Sequence, residues 1–219
     1  DSVINGGVLT DHDSLATTLV ENQLGNGYRF LNVSSGSWGP DNCAGYLKKY
    51  GHFNARLIIL MVNSDDSYDV MTFEKVVGRS KDYPERQYSS AISELVLRYL
   101  KGAFANLSQS FDSISLSKKV SAEFNPGFSF IANYVREHNI PFMLCLHAEA
   151  MEIRNNKFSS EGEEILNYCK SNNIRVISGL EIGENLSHLR DETHLNEKGQ
   201  KLWAKVLFNE IKNTVKPCP

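Results

Sequence analysis

The chain has 219 residues, 41% of them hydrophobic, enough for one substantial core and too few for two large domains. A net charge of −3 with 22% charged residues provides no broad positive field for a phosphate backbone, which argues against nucleic acid as a partner. The longest apolar runs, such as Leu57-Ile-Ile-Leu-Met-Val62, fall far short of the roughly 20 residues that span a bilayer, and no signal peptide opens the sequence. A chain soluble as made, or one that has lost a leader, is therefore expected.

In chain order, helical periodicity first covers 14–24. A run dense in apolar and β-branched residues, Tyr28-Arg-Phe-Leu-Asn-Val33, reads as a buried strand. A helix over 41–50 and a second buried strand over 55–62 follow. The stretch 64–90 breaks the rhythm with Asp65, Asp66, Asp69, Gly78 and Pro84 and reads as a long ordered loop, a length usually tied to function. Helices are then expected over 89–100 and 128–137. The Asn-rich stop Glu137-His-Asn139 feeds a strand over 141–146. A helix over 160–170, the stop Ser171-Asn-Asn173, a strand over 174–177 and a helix over 197–212 complete the chain. This alternation predicts one α/β domain over 1–219, a three-layer α/β/α sandwich with a mainly parallel sheet of flavodoxin-like kind, its chemistry at the carboxyl ends of the strands. Cys43, Cys145, Cys169 and Cys218 lack the close spacing of zinc or redox motifs. They read as separate thiols, pointing to a reducing compartment such as the cytoplasm, or to an extracytoplasmic one if a leader has been removed.

Asp191 is the only aspartate with a histidine three positions later, an offset at which a carboxylate reaches the imidazole across one turn and selects its tautomer. Acyl transfer by serine needs that pair together with a hydroxyl and donors aimed at the developing oxyanion. Asp191-Glu-Thr-His194-Leu-Asn-Glu-Lys-Gly-Gln200 resembles the last block of the SGNH (GDSL-type) hydrolases, in which the Asp and His are triad members. Asp1-Ser2-Val-Ile-Asn-Gly-Gly7 resembles the first block, which implies that Ser2 is the nucleophile and that a strand precedes it upstream of residue 1. Leu31-Asn-Val-Ser-Ser-Gly36-Ser-Trp-Gly-Pro40 resembles the second, implying an oxyanion donor at the Gly36 N–H beside that of Ser2. At the third block, Met61-Val-Asn63-Ser-Asp65-Asp66, strict register gives Asp65 where the family has Asn, while chemistry prefers Asn63.

The resemblance implies a three-layer SGNH fold and a serine esterase that needs neither metal nor organic cofactor. Its expected substrate is a small acyl ester, acetyl on carbohydrate first and a lipid ester second, with no nucleic-acid partner. Trp38 and Tyr68 are candidates to stack on a sugar ring, and His147, after the strand ending at Leu146, reads first as a packed or solvent-facing histidine and second as a candidate to line the site. Glu149 and Glu152 read as acidic residues opening a helix rather than as a glycosidase pair. A catalytically silent SGNH-like domain that binds glycan or protein, and an unrelated flavodoxin-like binding domain, are the competing readings.

Overall fold

The computed structural model describes residues 2–7, 10–25, 27–71, 77–78, 84–96, 119–120 and 123–215. The chain divides into two compact units, one formed by Asp1–Met71 with Val120–Pro219 and the other by Thr72–Lys119. Within the second unit the described residues include a one-turn helix, Ala91–Glu94, started by Ser90, whose Oγ accepts the Ser93 N–H at 3.1 Å. Parts of the expected loop 64–90 and helix 89–100, and Cys218, lie outside the described residues.

The first unit is mixed α/β. Its sheet has three parallel strands, β1 (Ile58–Val62), β2 (Phe142–Leu146) and β3 (Arg175–Ser178), in the order β1-β2-β3. Leu60 pairs with Leu144, and Leu144 with Val176. Alternate residues of each strand enter separate cores, as the two-residue strand period requires. Met61, Met143, Cys145 and Ile177 pack with α2 (Ala16–Leu24) and α7 (Glu197–Thr214) through Ala16, Val20, Trp203 and Leu207. Leu60, Val62, Leu144 and Leu146 pack with α3 (Pro40–Tyr50), α4 (Pro126–Glu137) and α6 (Ser160–Ser171) through Ala44, Phe128, Ile131 and Ile165. Strands buried on both faces carry continuous apolar sequences for this reason. Each fully buried large side chain such as Leu144 contributes about 1.5–3 kcal/mol relative to exposure.

Helix ends follow local chemistry. Asn125 accepts the Gly127 N–H at 2.8 Å and Pro126 occupies the first turn of α4, while Ser159 accepts the Gly162 N–H at 3.2 Å to open α6. Gly127 is required by packing, since a Cβ there would overlap the Pro40 backbone where α3 and α4 meet. The described residues of the unit also include two short α-helices, α1 (Ser2–Asn5) and α5 (Ala150–Asn155). None of the described helices is long and apolar enough to cross a membrane.

The expected strand over 28–33 is not one. Among the described residues the segment joins no ladder, and Leu31 is 62% exposed. Between it and β1 lies an apolar cavity of about 750 Å³, lined in part by Tyr28, Phe30, Leu31, Ile58 and Ile59. No strand among the described residues pairs with the segment. β-Branched content favours a pleated surface but does not supply the partner that makes one.

Candidate functional site

The loop between β3 and α7 is folded tightly on itself. Leu189 and Leu195 form an antiparallel bridge, and the Arg190 N–H donates to the His194 carbonyl at 2.8 Å. Leu195 is buried, and Asn196 starts α7 by accepting the Lys198 and Gly199 N–H groups at 2.9 and 3.2 Å. The same carboxamide donates back to the Ser187 and Leu189 carbonyls, both at 2.9 Å. Gly199 fits because a Cβ would overlap the His188 carbonyl.

Within this frame Asp191 Oδ1 accepts the backbone N–H of Thr193 at 3.0 Å and of His194 at 2.7 Å. The His194 ring meets the same carboxylate through Nδ1, at 2.9 Å from Oδ2 and 3.0 Å from Oδ1. Burial alone would raise the Asp191 pKa, but the two backbone N–H groups and the imidazole outweigh it and hold the carboxyl below its ordinary range. With Nδ1–H donating to Asp191, Nε2 carries the lone pair, and it stands 3.1 Å from the Ser2 Oγ. Ser2, His194 and Asp191 thus form a continuous hydrogen-bonded line, with the His194 and Asp191 side chains 36% and 51% exposed. Solvent reaches the His194 and Asp191 side chains of that line.

The placement of Ser2 depends on a residue that sequence reasoning did not single out. Gln200, fully buried on α7, donates to the Val3 carbonyl at 3.0 Å and accepts the Ala16 N–H at 2.9 Å, pinning α1 at the residue next to Ser2. Asn5 and Asn32 lace α1 to the segment before Gly36, through Asn5 Nδ2 to the Ser34 carbonyl at 3.1 Å and Asn32 Nδ2 to the Ile4 carbonyl at 3.0 Å. Gly36 follows in an exposed turn where a Cβ would meet nothing within 4 Å.

Asn63, 4% exposed, caps the turn Ser64–Ser67, its Oδ1 accepting the Asp66 N–H at 3.3 Å, while Asp65 is exposed. Trp38 packs against Tyr46 of α3 with ring centroids 6.0 Å apart. The Tyr68 hydroxyl donates to Glu164 on α6, and its ring lies edge-on to Phe124. The two carboxylates at the start of α5 serve the fold. Glu152 is buried and accepts from Ser64 Oγ at 2.6 Å and from the Glu149 N–H at 2.9 Å, while Glu149 accepts from Thr193 Oγ1 at 3.2 Å.

Of the two readings of His147, the structure shows the packed one and not the one that lines the site. It is fully buried, with Nδ1 2.7 Å from Glu184 Oε1 and Nε2 2.6 Å from the Thr193 carbonyl, so no face of the ring is open to a substrate. Burial pulls an imidazole down, but here the Glu184 carboxylate and its hydrogen bond, together with the Thr193 carbonyl, prevail and hold the group above its ordinary range. A strand-end position suggests the pocket; only the partner 37 residues later reveals that the ring turns inward.

Among the described residues no group of three or more His, Cys, Asp or Glu is gathered as metal ligands would be. Neither family models, curated proteins nor solved structures give a match to this chain.

Proposed function

We propose that the protein is a serine ester hydrolase of SGNH type, built on a three-layer α/β/α sandwich. The observation that carries this reading is the line Ser2 Oγ–His194 Nε2 at 3.1 Å and His194 Nδ1–Asp191 Oδ2 at 2.9 Å, in which the carboxylate favours the Nδ1–H tautomer that general-base catalysis needs. In the proposed reaction His194 takes the Ser2 proton as Oγ attacks the ester carbonyl. Asp191 holds the imidazolium that forms, and the tetrahedral intermediate is bound by the backbone N–H groups of Ser2 and Gly36, with Asn63 as a third donor. Collapse expels the alcohol, protonated by His194, and water then cleaves the acyl-enzyme with the same base.

Small acyl esters, acetyl groups on carbohydrate first, are the proposed substrates. The test is hydrolysis of acetylated sugars and of p-nitrophenyl esters of increasing chain length, run beside labelling by a fluorophosphonate. Ser2→Ala is expected to abolish labelling, and Ser2→Ala and His194→Ala each to lower kcat by at least about 10³-fold. Hydrolysis that persists in His194→Ala would overturn the mechanism. A folded wild-type chain that neither labels nor hydrolyses would instead support the binding-domain reading.

A further inference from the structure

Asp191 and His194 sit on a loop with much of their side-chain surface in solvent, so their own burial does not hold them in place. What stands behind the loop is a closed polar assembly. Glu184 Oε2 accepts the Ala148 N–H at 2.8 Å, and Oε1 accepts the indole N–H of Trp203 and meets His147 Nδ1 at 2.7 Å. Trp203, His147 and Ala148 are all fully buried. The backbone makes room for the carboxylate at Gly179, where a Cβ would overlap Glu184 Oε2.

Both nitrogens of the His147 ring face acceptors, a carboxylate on one side and the Thr193 carbonyl on the other. A neutral imidazole has a single N–H and would set a lone pair against one of them. Because both Glu184 oxygens already accept other N–H groups, the shared proton belongs on the ring, which then donates from Nδ1 and from Nε2. The Nε2–H is aimed at the carbonyl immediately before His194. Thr193 is fixed at two further points, its N–H on Asp191 and its Oγ1 on Glu149. A buried ion pair adds little stability over an apolar pair of the same volume. What this one supplies is direction.

We infer that His147, braced by Glu184, is a positioning residue: it clamps the Thr193 carbonyl and thereby sets the place of His194 against Ser2. The kinetic consequence rests on the esterase reading, whereas the clamp is a matter of geometry, and the experiment separates the two. The full chain, labelled with ¹⁵N-histidine, is compared with the His147→Leu/Glu184→Gln variant, which removes both buried charges and leaves an acceptor for Trp203. His147→Gln, whose amide N–H reaches the same carbonyl, is the rescue.

In the wild type one buried histidine is expected to show two slowly exchanging ring N–H signals. In the double variant the backbone amide of His194, which donates to Asp191 at 2.7 Å, is expected to exchange at least about tenfold faster. Its kcat on p-nitrophenyl acetate is expected to fall about 10–100-fold with KM within about twofold, and His147→Gln to recover part of both losses. A folded double variant with wild-type exchange at His194 would overturn the inference. If the wild type hydrolyses no ester, the exchange measurement still decides the clamp, and only the esterase reading fails. If exchange rises while kcat holds, the clamp does not set His194 against Ser2 and the inference is again overturned.

Discussion

Glu149 is half-buried next to the loop that carries Asp191 and His194, and its surroundings penalise its charge. Burial raises its pKa first and the Asp65 carboxylate second, against the smaller opposing effect of the Thr193 hydroxyl. A carboxyl whose pKa is raised on folding favours the folded state most fully below its unfolded value of about 4.3, and that contribution is lost as pH rises through the folded value. At neutral pH the ionised Glu149 is therefore a cost. Glu149→Gln removes the charge and keeps an oxygen to accept from Thr193, so its thermal midpoint is expected to exceed that of the wild type at pH 7, with the gap closing toward pH 4. Thermal unfolding at both pH values checks this, and an unchanged or lower midpoint at pH 7 would refute it. The same neighbourhood shows what residue-level reading can reach. Asp191 and His194 are local in sequence, and three positions suffice to bring them together. His147 and Glu184 are not local, and nothing near His147 signals a carboxylate arriving from beyond the next strand.

At the scale of elements, α1 is four residues long and has too few internal hydrogen bonds to hold itself. Its anchor is Gln200, whose side chain satisfies the Val3 carbonyl and the Ala16 N–H in a fully buried setting. Gln200→Ala removes both hydrogen bonds. At about 0.5–1.5 kcal/mol for each, a loss of about 1–3 kcal/mol is expected in urea unfolding. On the esterase reading kcat is expected to fall with it, because Ser2 is adjacent to Val3. A variant as stable as the wild type would remove Gln200 from this role. The longer helices were legible because their ends are written locally. Asn125-Pro126, Ser159 and Asn196 cap three of them within one or two residues of the positions that periodicity implies. α1 and α5 were not legible as helices, since elements of four and six residues carry too little periodicity and are held by distant side chains.

For the whole molecule, the parallel character of the sheet followed from the alternation of elements, and two-sided burial explains the unbroken apolar runs at β1 and β2. The error at 28–33 has a physical source in the same sheet. The Ile58 N–H donates to the Pro141 carbonyl and the Val62 carbonyl accepts the His147 N–H, so residues 58, 60 and 62 turn their backbone groups toward β2. By the two-residue period, Ile59 and Met61 turn theirs to the opposite edge, where both residues line cavities bordered by Phe30 and Leu31. An apolar slot with a strand edge on one wall is a template for another strand. Ile4 lines the smaller cavity, which places α1 beside this slot. A strand supplied to this slot would give 28–33 a partner. Joining six to eight alternating Val, Ile and Thr residues ahead of Asp1 is expected to raise the thermal midpoint by several degrees, a gain of order 1–3 kcal/mol from apolar burial. The amides of Ile59 and Met61 are expected to gain protection from hydrogen exchange, while those of Leu60 and Val62 change little. Equal exchange at Ile59 and Met61 with and without the added strand would show that the slot does not accept one.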